Sequence, residues 1–235
     1  MSGLKTAMVL AAGIGSRMRP LTDTLPKPLV PVAGRALIDH TLDRLVEAGV
    51  TTAVVNVHHF ADMVEAHLAR RTDLRIVISD ERVGLLDSGG GIAHALGALG
   101  DDPVLVANID NVWIEGKTPA LASLSDGWDP EVMDIRILLS PRANCYGYNR
   151  PEGFVMDPAG RLTHSNSPDP LPPFNNIGFQ ILKPALLSGR EASFSILPIW
   201  KDLSARGRLF GAVTDATIIH VSDPAGRDYA DEQLR

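Results

Sequence analysis

Arg17 and Lys27 stand in a stretch, LAAGIGSRMRPLTDTLPKPLVPV (10–32), that can form neither a continuous helix nor a ladder-paired strand. Gly13 and Gly15 let backbone N–H groups turn toward an anion without a Cβ in the way. A guanidinium forks onto phosphate oxygens, and an ammonium adds a compact second charge. Pro20, Pro26, Pro28 and Pro31 fix φ along the loop, so the cations are held ready rather than ordered on binding. The chemistry these residues suit is the gripping of phosphate. The P-loop pattern GxxxxGK[ST] is absent, and a dinucleotide-binding GxGxxG fails at Met18, where its third glycine would stand. As loop residues, Arg17 and Lys27 are expected to be dispensable for stability and needed for activity.

Such a loop needs a rigid strand before it. AMVLAA (7–12) is a continuous apolar run, as expected of a strand buried on both faces. ALIDHTLDRLVEAG (36–49) carries a helical apolar stripe through Leu37, Ile38, Thr41, Leu42, Leu45 and Val46, with Gly49 as its stop. Strand at 51–57, helix at 61–71 and strand at 74–79 follow. A helix capped by Ser88 over GGGIAHALGALG comes next, then a buried strand at 102–110. Strands separated by helices of this length mean βαβ units and a mostly parallel sheet. In the second half, strands are expected at 131–140 and in a hairpin about DPAG (153–164). A helix at 195–207, strands at 208–213 and 216–221, and a helix near 224–234 complete the reading. No linker, repeat or low-complexity tract divides the chain, so a single α/β domain over 1–235 is expected.

A net charge of −6 argues against nucleic acid held on a broad basic surface, so an anionic ligand needs a local positive pocket. One cysteine, Cys145, excludes an intrachain disulfide and any CxxC motif. The N-terminal apolar run is too short for a signal peptide, and no run approaches the ~20 residues of a membrane span. A cytoplasmic protein with no membrane partner is expected. His58 and His59 are adjacent and have no third ligand nearby, so no zinc site is expected. His40, His67 and His94 fall on helices, and Trp113 and Trp200 read as core or pocket wall.

The stretch from Leu10 to Gly34 resembles the signature G-x-G-x-R-[ML]-x-P-L-T-x-x-x-P-K-P of sugar-1-phosphate nucleotidyltransferases. The likeness continues in family order through LLDSGGGI (85–92), VLVANID (104–110), NNIGFQIL (175–182) and IIHVSDP (218–224). Within the family it is most similar to the short uridylyltransferases acting on N-acetylmuramic acid 1-phosphate in cell-wall recycling. The resemblance implies a Rossmann-like three-layer sandwich with a mixed, mainly parallel sheet. About 1–115 would handle the nucleotide and about 116–235 the sugar.

The implied reaction is attack of a sugar phosphate oxygen on the α-phosphorus of a nucleoside triphosphate, UTP in that branch, with loss of pyrophosphate. Arg17 would hold the departing phosphates, and Lys27 would bridge toward the sugar phosphate and α-phosphate. Leu10, Ala11, Ala12, Gly13, Gly15, Ser16 and Gly90 match nucleotide-binding positions. Because Leu85 stands where relatives often have glutamine, backbone amides would read the base. Gly153 and Asn176 match sugar-contacting positions, while Ser165 or Asn166 falls where many relatives have a glutamate. Asp110 would hold Mg²⁺ at the end of a buried strand. His220 stands where relatives have an aspartate. The remaining metal ligands would be His220 through water, Asp223, or substrate oxygens alone, the last being favoured because imidazole suits Mg²⁺ poorly. The partners implied are small molecules, with the chain a monomer or homodimer. Guanylyl or thymidylyl transfer to mannose or glucose 1-phosphate is a rival reading. So is a sensor that binds nucleotide sugars without turnover, because Asn108-Ile109-Asp110 replaces the family's Asn-Gly-Asp.

Overall fold

In the computed structural model, which describes residues 4–149 and 151–235, the first half alternates strand and helix as its patterning requires. β1 (Thr6–Leu10) runs into the long loop, which holds three single 3-10 turns and ends in the hairpin β2 (Pro31–Val32) and β3 (Arg35–Ala36). There follow α1 (Leu37–Glu47), β4 (Thr52–Val57), α2 (Ala61–Leu68), β5 (Arg75–Asp80), α3 (Asp87–His94), α4 (Leu96–Leu99) and β6 (Val104–Asn108). The second half holds β7 (Asn111–Ile114), α5 (Ala120–Ser125), β8 (Ile135–Pro141), β9 (Cys145–Tyr146), β10 (Gly153–Met156) and β11 (Leu162–Ser165). Then come β12 (Phe174–Leu182), α6 (Leu197–Ala205), β13 (Leu209–Val213), β14 (Thr217–His220) and α7 (Pro224–Gln233).

The spine of the main sheet runs β5-β4-β1-β6-β12-β8-β13, so strands from both halves share it. All these strands are parallel except β12, which runs against both its neighbours. The β10–β11 hairpin joins at the start of β12, and its Asp157 carboxylate accepts from the Ala159 and Arg161 amides to close the turn at DPAG. A small sheet, β7-β14-β9, lies apart.

Two apolar layers sandwich the spine. Ala7 and Val9 of β1 face α1, α2, α5, α7 and the small sheet, through Leu42, Val64, Leu124 and Ile218. Met8 faces α3, α4 and α6, through Ile92, Leu99 and Leu203. That alternation is the period-2 pleat of a strand buried on both sides, and it produces the expected three layers.

Two elements depart from expectation. Ser88 does not cap α3, which starts at Asp87; its hydroxyl instead accepts from the Ile196 amide, and the helical run breaks at Ala95. β12 has no counterpart among the expected elements because Asn175, Asn176 and Gly178 interrupt its apolar pattern. The strand is irregular there: its register shifts between Asn176 and Gln180, and Gly178 sits at φ 80°. A Cβ at Gly178 would lie 2.8 Å from that of Asn108, so this crossing tolerates only glycine.

Candidate active site

Because β12 runs against its neighbours, its start lies at the same sheet edge as the carboxyl ends of β1, β4, β6 and β8. That edge is where ligands bind in open α/β sheets. The loop after β1 is folded back on itself. Gly15 is left-handed at φ 69°, its carbonyl accepts from the Thr22 hydroxyl at 2.8 Å, and a Cβ there would lie 2.9 Å from that of Lys27. This packing carries the Lys27 stem inward, between Pro26 and Pro28, until the residue is 9% exposed.

Its ammonium ends 2.8 Å from Asp110 Oδ2, just beyond β6. His220 Nε2, at the end of β14, lies 3.4 Å from the same oxygen. Among the described residues Asp110 Oδ1 accepts one long 3.4 Å bond, from Asn111 Nδ2, and Asn111 Oδ1 accepts from the Tyr148 hydroxyl at 2.6 Å. Burial alone would raise the Asp110 pKa. The Lys27 charge and then His220 outweigh burial and hold the carboxyl far below the usual carboxylate range. Burial, with the Asp110 charge behind it, keeps Tyr148 a neutral donor by raising its pKa well above the usual phenol value.

Two concavities meet at Asp110, and a third of about 600 Å³ shares Leu10, Asp87 and Ser88 with the first and Arg17, Asn176 and Trp200 with the second. The first, about 420 Å³, is lined by Leu10, Ala11, Ala12 and Gly13 on one side and by Leu85, Asp87 and Ser88 on the other. The second, about 340 Å³, is bounded by Gly153, Asn176, His220 and Asp223, with Tyr148 and Trp200 as aromatic walls. Lys27 opens onto the first, Arg17 onto the second, and Asp110 onto both.

Leu10, Ala11, Ala12, Gly13, Arg17, Lys27, Asp110, Gly153, Asn176, His220 and Asp223 therefore lie around the two concavities, whereas Gly15, Ser16 and Gly90 line neither. Ser16 is exposed on the same turn as Arg17. Gly90 is buried within α3 and does not line the first cleft, and a Cβ on it would lie 2.4 Å from the Ala192 carbonyl oxygen; Ser88 and Ser193 line the cleft instead. Gly153 borders the second cavity, but packing against the Phe174 carbonyl, 2.4 Å from a built Cβ, already demands glycine there. The Asn176 side chain accepts from the Gly178 amide. Asp223 caps α7 by accepting from the Gly226 amide at 2.8 Å.

Asn56 and Glu81 line the first cleft and were not anticipated. The signal is a lone asparagine in the otherwise apolar β4 run TAVVNV. Its carbonyl oxygen accepts from the amides of Ala11 and Ala12, so those two donors are committed to the protein rather than facing a base as expected. The histidines have structural partners: His58 bonds the Glu81 carbonyl, His40 the Val32 carbonyl and His67 the Asp39 carboxylate. Trp113 is core and Trp200 pocket wall. Among the described residues no group of three or more His, Cys, Asp or Glu could hold a metal ion, and no helix is long and apolar enough to cross a membrane.

A glycine loop leaving the first strand of a mainly parallel sheet, with a part-buried lysine–aspartate pair at the sheet's carboxyl edge, defines a phosphate-handling α/β protein. The chain belongs to the nucleotidyl transferase family, whose model matches residues 6–148. It is 49% identical, over 98% of its length and 97% of the relative's, to N-acetylmuramate alpha-1-phosphate uridylyltransferase of Caulobacter vibrioides. A mannose-1-phosphate guanyltransferase beta-B of Xenopus laevis is 35% identical over 44% of this chain and 30% of that one. The fold matches UDP-glucose pyrophosphorylase complexed with UDP-glucose at a TM-score of 0.83 and 16% identity, covering 99% of this chain and 98% of that one. The inositol-1-phosphate CTP transferase from T. maritima matches at 0.77 and 17%, covering 95% and 91%.

Proposed function

We propose that the protein transfers uridylyl from UTP to N-acetylmuramic acid 1-phosphate, releasing pyrophosphate and forming a UDP-sugar for cell-wall recycling in the cytoplasm. The observation that carries the reaction is the Lys27–Asp110 pair, whose aspartate lies at both concavities. The near full-length relative in Caulobacter supports the choice of substrates.

The first cleft takes the nucleotide and the second the sugar, so the sugar phosphate and the α-phosphate meet beside Lys27. A phosphate oxygen of the sugar bonds to the α-phosphorus while the bond from that phosphorus to the β-phosphate's bridging oxygen breaks. No covalent enzyme intermediate forms. The chain supplies position and charge: Lys27 neutralises the reacting phosphates, and Arg17 swings onto the departing pyrophosphate. Leu10 to Gly13 form the nucleotide floor, and Asn176 meets the sugar.

The donor set fits Mg²⁺. Asp110 Oδ1 carries one long hydrogen bond and retains lone pairs, and Mg²⁺ commonly takes one or two carboxylates with phosphates and waters. Asp223 is occupied as a helix cap, and His220 backs Asp110 Oδ2, so substrate oxygens complete the set. When bound, the cation would neutralise charge developing on pyrophosphate.

A pyrophosphate-release assay of each nucleoside triphosphate against a panel of sugar 1-phosphates tests the substrate choice. UTP with N-acetylmuramic acid 1-phosphate is expected to give the highest kcat/KM. A preference for GTP with mannose 1-phosphate would overturn both halves of the assignment.

A further inference from the structure

The floor of the first cleft is fastened from beneath by two side chains. Asn56 is 3% and Glu81 2% exposed, and both lie at the cleft. Asn56 Oδ1 accepts from Ala11 N at 2.6 Å and Ala12 N at 3.2 Å, while its Nδ2 donates to Glu81 Oε1 at 2.7 Å. The other carboxyl oxygen of Glu81 accepts from Leu86 N at 3.3 Å, on the loop that forms the opposite wall. One unbroken path of hydrogen bonds thus joins the glycine loop to the facing loop. Room for it is reserved: a Cβ at Gly91 would lie 2.8 Å from Glu81 Oε1 and 2.9 Å from Asn56 Nδ2.

The chemistry of the path is directional. Two backbone donors need one acceptor atom, so a side chain with an oxygen must stand at 56. The Leu86 donor needs an acceptor at 81, and the link between the two side chains needs one N–H. Asparagine above glutamate satisfies all three conditions. An aspartate above a glutamine would satisfy them equally, with the link reversed. Polar groups buried this deeply lose the full cost of desolvation when a link is missing, so the arrangement is either complete or costly.

We propose that Asn56 and Glu81 are positioning residues for the nucleotide: they set the spacing between the two walls of the nucleotide cleft while touching neither reacting phosphate. This rests on the reading of the first cleft as the nucleoside triphosphate site. Ala11 and Ala12 belong to the floor of the first cleft and neither Asn56 nor Glu81 borders the second cavity, so a loosened floor weakens capture of the nucleotide before it affects the sugar.

The test is the exchange Asn56→Asp with Glu81→Gln. Asn56→Asp alone sets two carboxyls against each other across the link. It is expected to raise the KM for UTP, and to weaken UTP binding measured by calorimetry without sugar, by roughly tenfold or more. The KM for N-acetylmuramic acid 1-phosphate should stay within about twofold. Adding Glu81→Gln restores the missing N–H, and UTP binding should return to within about threefold of the native protein, a coupling that only interacting residues show. A merely structural role would lower the folded fraction and hence kcat, leaving both KM values in place.

The proposal is overturned if the double variant melts like the native protein yet still binds UTP weakly. An equal rise in both KM values in Asn56→Asp also overturns it. If Asn56→Asp does not fold, the double variant alone decides by the same UTP titration. A native protein that binds UTP but forms no product would overturn the proposed activity and leave the positioning role to stand or fall on the titration. A native protein that binds no UTP would overturn both.

Discussion

Asp110→Asn is expected to lose at least about a thousandfold in kcat, with no recovery at raised Mg²⁺ and a loss of about 1–3 kcal/mol in unfolding free energy as Lys27 loses its counter-charge. The substitution keeps the size of the side chain and keeps an oxygen acceptor for Lys27, so the protein still folds. What goes is the negative charge. In the native protein that charge is secured by the lysine at 2.8 Å and by His220 at 3.4 Å, against a burial that opposes it. Without it Lys27 loses the partner that aims its ammonium, and the reacting phosphates lose the carboxylate that would share a cation with them. Steady-state kinetics across a Mg²⁺ titration read this directly. Substantial activity in Asp110→Asn would mean that Asp110 serves the fold and not the chemistry.

Lys27→Met should cost on the order of several hundredfold in kcat, the usual effect of removing a preorganised charge from a transition state. The sequence alone suggests that stability would be untouched, because a lysine in a proline-rich loop reads as solvated. The structure corrects that expectation. Lys27 is 9% exposed, and its removal leaves the His220 ring, at 3.4 Å, beside Asp110 without the ammonium. A loss of about 1–3 kcal/mol in unfolding free energy is therefore expected as well, from a carboxylate stripped of its main partner. The double variant Lys27→Met with Asp110→Asn should recover much of that stability and none of the activity. Denaturant unfolding of the three variants measures the first half, and a pyrophosphate assay the second. If the single variant were as stable as the native protein, the pair would be a surface contact rather than a part-buried one.

These two residues also mark how far the sequence could be read. The strand before the loop, the glycines, the cations and Asp110 at a strand end were all legible, because buried parallel strands place their following residues at one edge. The three layers were implied by the family resemblance, and apolar runs such as VLVA agree with strands buried on both faces. The inward turn of Lys27 was not, since it depends on Gly15, Thr22 and Lys27 packing together across twelve residues of irregular chain. Nor was the Asn56–Glu81 link. Its members are 25 residues apart, and they meet because β4 pairs with β5 in a register that sets Asn56 against Ser79, two residues before Glu81. β12 escaped for a different reason: the residues that break its pattern, Asn175, Asn176 and Gly178, are those that line the second cavity. Gly90 and Gly153 warn in the other direction. Both match binding positions by motif, and both are explained in the structure by backbone packing.

The most direct measurement is a phosphorus NMR time course of the native protein with UTP, N-acetylmuramic acid 1-phosphate and Mg²⁺. Attack by the sugar phosphate on the α-phosphorus predicts that UTP and sugar phosphate signals fall together. Pyrophosphate should rise in equal amount, beside a pair of coupled resonances from a new diphosphate bridge. Unchanged spectra from a protein that nonetheless binds UTP would contradict the account, leaving a nucleotide-sugar sensor built on a transferase fold.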